Sequence, residues 1–141
     1  MEMVADDVRA FIDSSDRSDD LRVLDEMILA AMPGLSRTLW RGKMWGGTEQ
    51  QIIGYGVIHQ KRPKGADVEW FLVGLAVQKR HLSVYVNAAE GSAYLVQQRS
   101  ALLGNVKVGA AAVTFAAASD LNLEEFRDML TRARELSPDA T

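Results

Sequence analysis

Gln51-Ile52-Ile53-Gly54-Tyr55-Gly56-Val57-Ile58-His59-Gln60, then Val68-Glu69-Trp70-Phe71-Leu72-Val73-Gly74-Leu75-Ala76-Val77, then His81-Leu82-Ser83-Val84-Tyr85-Val86, is the stretch that decides the fold. β-Branched and aromatic residues dominate each segment, and they favour the extended chain because they pack well on a pleated surface. Lys61 to Asp67, with Pro63 and Gly65, and the pair Lys79-Arg80 separate the segments and suit turns. Connections this short join antiparallel strands, since a parallel partner needs a crossover of about a dozen residues. The pattern predicts strands near 51 to 60, 68 to 78 and 81 to 87.

Working outward, a strand near 37 to 45 precedes this meander, with Gly46-Gly47 as the connection, and another is expected from Ala112 to Ala117. Val4, Val8, Phe11 and Ile12 recur at helical spacing. Leu21, Leu24, Ile28 and Ala31 do so again, with Asp19 and Asp20 suiting the first turn and Pro33-Gly34 ending the helix. A third helix is expected near 91 to 103, carrying Tyr94, Leu95 and Leu102 and stopping at Gly104. The last helix has Asn122 as its cap, an apolar stripe of Leu123, Phe126, Met129, Leu130 and Ala133, and an Asp128–Arg132 surface pair. This order describes one α+β domain over residues 1 to 141, its core over about 4 to 136. Its antiparallel sheet has about five strands, with helices packed on one face.

Composition removes several function classes. The chain has no cysteine, which excludes disulfides, thiolate metal sites and a cysteine nucleophile and fits the cytoplasm. Its start lacks a secretory pattern, and the longest small apolar stretch, Val108 to Ala118, is too short for a membrane span. The net charge of −3 argues against a nucleic-acid binder. Residues 1 to 40 carry nine acids against four bases, and 41 to 110 carry four against nine, so an acidic start precedes a basic middle.

The motif Leu39-Trp40-Arg41-Gly42-Lys43-Met44-Trp45-Gly46-Gly47, followed by Ile53-Gly54-Tyr55-Gly56, resembles the YdhG-like family, a bacterial family of unknown function. Val73-Gly74-Leu75-Ala76, His81-Leu82-Ser83-Val84-Tyr85-Val86 and Leu103-Gly104-Asn105-Val106-Lys107-Val108-Gly109 extend the resemblance over about residues 4 to 136. It implies an α+β sandwich reminiscent of frataxin, and some members carry an iron-chaperone label. Oxygen ligands for loosely held iron would come from Asp6, Asp13, Asp16, Asp19, Asp20, Asp25 and Glu26; read without the resemblance, these acids form a solvated face interleaved with Arg9, Arg17 and Arg22. His59 and His81 are not spaced as a metal pair.

No nucleophile motif is present, although Ser83 follows His81 by two residues. Lys61, Arg62 and Lys64 form one basic cluster and Lys79, Arg80 and His81 another; they fall at opposite ends of the 68 to 78 strand, about 30 Å apart, and read as hairpin tips.

Strand parity nominates one further site. If Ile53, Tyr55, Val57, Phe71, Val73, Leu75, Val77, Leu82, Val84 and Val86 face the helices, Gly54, Gly56, Trp70, Leu72, Gly74, Ala76, His81, Ser83 and Tyr85 face away. Glycines inside strands cost stability, so something is expected to approach the backbone closely there. Trp70 and Tyr85, with Trp40 or Trp45, would wall the trough over Gly54, Gly56 and Gly74, with His81 at its end. Three occupants stay open: a flat apolar or aromatic ligand, a second copy of the chain, or the chain's own third helix. The expected function is binding of a small ligand or metal, or a homodimeric interaction without catalysis.

Overall fold

The computed structural model describes residues 1–43, 47–61 and 65–141. A short strand, β1 (Glu2–Val4), leads into two helices, α1 (Val8–Asp13) and α2 (Ser18–Ala31). The expected helical role of Val4 is corrected. The Asp7 carboxylate accepts from the Arg9 amide at 2.9 Å and caps α1 at Val8, while Val4 pairs with Leu39 in the sheet. Four longer strands follow: β2 (Arg37–Lys43), β3 (Glu49–Gln60), β4 (Val68–Val77) and β5 (Leu82–Val86), each antiparallel to the next. After a small hairpin, β6 (Ala89–Glu90) and β7 (Ala93–Tyr94), come α3 (Leu95–Gln98), β8 (Lys107–Val108), β9 (Ala112–Phe115) and α4 (Leu123–Leu136).

The main sheet has seven strands in the order β1-β2-β3-β4-β5-β9-β8, antiparallel throughout, so the fold is α+β. The five expected strands form its centre, and β1 and β8 add a short edge on either side. None of the helices described is long and apolar enough to cross a membrane.

The third helix departs from expectation. Gly91, at φ +68°, turns the β6–β7 hairpin, and the Gln98 side chain donates to the carbonyls of Glu90 (2.6 Å) and Ala93 (3.0 Å). Those bonds close the hairpin and leave one helical turn, followed by a 3₁₀ turn at Ser100–Leu102. Leu95 and Val96 are buried, whereas Tyr94 and Leu102 point to solvent. In α4 Asn122 caps as expected, accepting from the Glu125 amide at 3.3 Å, and Phe126, Met129, Leu130 and Ala133 are buried. Arg132 does not turn to Asp128; its Nε reaches Glu90 at 2.7 Å and ties α4 to the hairpin.

Helices cover one face of the sheet. Leu21, Leu24 and Ile28 of α2 and the stripe of α4 pack with Leu39, Ile53, Val73, Leu75, Val84 and Val113. Strand parity holds up to one rung and breaks there, which corrects the expectation for Val57, Phe71 and Leu72. Leu72 joins the helix-side core, while Phe71 and Val57 join a second cluster with Trp40, Ile52 and Ala76 on the other face. Gly56 allows this at φ +80°, its amide donating to the Ser36 carbonyl at 2.8 Å. Asn87 holds the opposite strand, its side chain donating to the Phe71 carbonyl (2.9 Å) and its amide to that of Leu72 (2.8 Å).

Gly104 is where the end of the 3₁₀ segment crosses the approach to α4. At φ +104°, its missing Cβ would lie 2.3 Å from the Asp120 carbonyl oxygen and 2.9 Å from the Asn122 nitrogen. Both neighbours are backbone. Gly104→Ala is therefore expected to cost about 3 kcal/mol, the sum of a left-handed alanine and overpacking. Urea unfolding checks this, and an unchanged midpoint would show that the crossing is loose.

Candidate functional site

Two places on the molecule compare as sites: the glycine-lined face foreseen from parity, and a charged cleft on the helix side.

On the first, the chain fills its own trough. Cβ atoms built on the two central glycines would stand 2.3 Å from Trp40 Nε1 (at Gly54) and 2.6 Å from Phe71 Cε2 (at Gly74). The close approach expected there is real, and the approaching groups are the Trp40 indole and the Phe71 ring. α3 is not involved, since Leu95 and Val96 belong to the helix-side core. Trp70 stacks on Phe71 with ring centres 4.8 Å apart, Trp40 meets Phe71 edge-on at 5.6 Å, and Tyr85 closes the cluster at 6.1 Å. Among the described residues Trp40 Nε1, buried in this cluster, has no hydrogen-bond partner.

Trp40, Gly54, Trp70, Gly74 and Tyr85 are thus brought together. Gly56 is not: a Cβ there would meet Leu35, which packs on the helix-side core. His81 lies in the β4–β5 turn, beside a separate shallow groove with Lys107, Thr114 and Asp120. Trp45 lies outside the described residues, as do Arg62 and Lys64 of the first basic cluster. Ser83 is buried, with its hydroxyl on Gln78 Oε1 (2.7 Å) and Thr114 Oγ1 (3.0 Å). Partial burial raises the Tyr85 phenol, and its hydrogen bond from Gln78 works the other way.

The second place was not foreseen. On α2, Arg22, Asp25, Glu26 and Leu29 stand at i, i+3, i+4 and i+7, and on α1 Arg9, Ile12 and Asp13 stand at i, i+3 and i+4. These two stripes, with Arg37 at the start of β2, line a cleft of about 450 Å³. Its floor is a buried carboxylate. Asp25 accepts from the Tyr55 hydroxyl at 2.6 Å through one oxygen and from Arg37 Nη1 at 2.6 Å through the other. Asp25 is 7% exposed and Tyr55 1%. Burial pushes the Tyr55 phenol well above its ordinary value, and the Asp25 charge and the bond donated to it add to the rise, against a smaller opposing effect of Arg37.

The expected iron ligands are mostly engaged by arginine. Asp6 pairs with Arg41 (2.7 Å), Asp13 and Asp19 with Arg22 (3.0 and 3.2 Å), Asp20 with Arg17 (2.9 Å) and Asp25 with Arg37. Among the described residues no three His, Asp or Glu side chains group as a metal site.

Asp25→Ala would leave the Arg37 charge and the Tyr55 hydroxyl without their partner and is expected to cost about 3 kcal/mol in urea unfolding. The raised Tyr55 value also sets a pH dependence. Above about pH 10 the unfolded chain loses the phenol proton while the folded chain keeps it, so stability falls as pH rises through the folded value, by up to about 1.4 kcal/mol per unit. Tyr55→Phe should flatten this decline between pH 9 and 11 relative to the parent, on the order of one proton. An unchanged slope would mean that the phenol is not held as described. In comparisons with known proteins, no family model, curated protein or solved structure matches this chain.

Proposed function

We propose that the chain is a binding protein rather than an enzyme, and that it holds a small polar molecule in the cleft between α1, α2 and the start of β2. The observation that carries this reading is the Asp25 floor. Two 2.6 Å bonds lock it from the helix layer to two strands of the sheet, which preorganises the Arg37 guanidinium toward the cleft. The cleft walls named above offer guanidinium, carboxylate and alkyl groups, which recognise charge and shape, and no hydroxyl, imidazole or amine nucleophile. Tyr55 lies beneath and is committed to Asp25. The arginine pairings favour a small molecule over iron as the cargo. Kinship with the YdhG-like family belongs to the same proposal, supported by an antiparallel sheet with helices on one face.

Backbone amide shifts in ¹⁵N-labelled protein test this reading with three probes at millimolar concentration: succinate, putrescine and L-leucine. At least one is expected to move amides of residues 9–13, 22–29 and 37 as a group. If all three leave them in place, the cleft is not a binding site.

A second reading, a homodimer through the uncovered sheet face, is favoured by the half-exposed Trp70 and Tyr85 and by Met3, which is 42% exposed beside Trp40 in the β1–β2 ladder. Light scattering would then give twice the mass of one chain, falling to a single chain in Trp70→Glu. A single-chain mass for the parent protein rules this dimer out.

A further inference from the structure

Charge pairing in the cleft goes beyond the statement that something polar binds there. Two of its three arginines are tied to carboxylates within it: Arg22 to Asp13 at 3.0 Å and Arg37 to Asp25 at 2.6 Å. A guanidinium has five N–H donors, and Arg37 spends one of them on Asp25, the bond from Nη1. That leaves one cation and one anion of the lining, Arg9 and Glu26, with no side-chain ion pair among the described residues. Arg9 and Glu26 are both exposed and stand on different helices. Apolar surface in the same lining comes from Leu29, which is 38% exposed, with Ile12 of α1 buried behind the wall.

We infer that the ligand is a zwitterion of free α-amino-acid type with an apolar side chain. This rests on the cleft reading given above. Its carboxylate would take Arg9 and the unused N–H groups of Arg37, its ammonium would take Glu26, and its side chain would cover Leu29. A dianion leaves Glu26 facing like charge, and a dication does the same to Arg9, so each meets repulsion that the zwitterion avoids. Guanidinium forks suit the planar carboxylate, and a charge-assisted hydrogen bond at each end gives discrimination of about tenfold or more against a molecule lacking that end.

Titration of the whole chain with three probes, followed by amide shifts, tests this: L-leucine, isocaproate, which lacks the ammonium, and isoamylamine, which lacks the carboxylate. L-leucine is expected to bind at least about tenfold tighter than either. Glu26→Gln should bring L-leucine down to the level of isocaproate while leaving isocaproate no weaker, and Arg9→Gln should weaken L-leucine and isocaproate together. Both side chains lie outside the buried Asp25 link, so the variants keep the parent's amide dispersion. Isocaproate or isoamylamine binding as tightly as L-leucine overturns the inference, as does an undiminished preference in Glu26→Gln. Succinate or putrescine moving the cleft amides while L-leucine does not would leave the cleft reading intact and remove the zwitterion; silence from every probe removes both.

Discussion

Asp25 sits on α2 nearly out of reach of water, and a carboxylate in that position is tolerated only if its lone pairs are taken up. Tyr55 from β3 and Arg37 from β2 do so from the sheet below. The link fixes where α2 lies across the strands, because a shift of one residue along either element would strand a charge in the core. Apolar contacts alone would not choose so sharply among neighbouring registers, since leucine and isoleucine tolerate sliding. The cleft follows from the same constraint. With α2 held over Arg37, its charged stripe turns toward the equivalent stripe of α1, and the space between them stays open.

The opposite face obeys a steric constraint. No helix among the described residues packs in its cluster, yet Trp40 and Phe71 are as buried as the helix-side core. They achieve this by lying flat on Gly54 and Gly74, where any larger residue would lift them off the sheet. Stability on this side comes from aromatic contact within the sheet itself, and an indole N–H is left without an acceptor among the described residues, a cost of about 1–3 kcal/mol. The two faces thereby divide their tasks: one is sealed by rings, and the other keeps a polar opening.

Much of this was legible in the residues. The meander from Arg37 to Val86 declares itself through β-branched and aromatic segments between turns, and α4 through its cap and stripe. The glycines at 54 and 74 correctly signalled a close approach to the backbone. What approached was hidden, because Phe71 reaches that face only through the break in alternation at Gly56 and Leu72. That break is held by Asn87, 16 residues beyond Phe71, and local periodicity carries no trace of it. The helix expected over 91 to 103 was lost to Gln98, whose side chain serves two carbonyls of the hairpin before it. Asp25 was read as one acid among seven on a solvated surface. Its partners lie 12 and 30 residues downstream, so its burial appears only once the helix is laid on the sheet. A mixed Arg-Asp-Glu-Leu stripe beside the apolar stripe of α2, and a strand tyrosine needing a partner for its hydroxyl, were the available clues.

Trp40 and Trp70, with ring centres 6.0 Å apart, stand on the side of the sheet away from the cleft. Indoles this close exchange excitation energy. Their emission therefore gauges whether the aromatic side of the sheet is intact, and it is blind to what occupies the far side. Light from these two indoles is thus a poor witness to ligand in the cleft and a good optical record of the sheet coming apart.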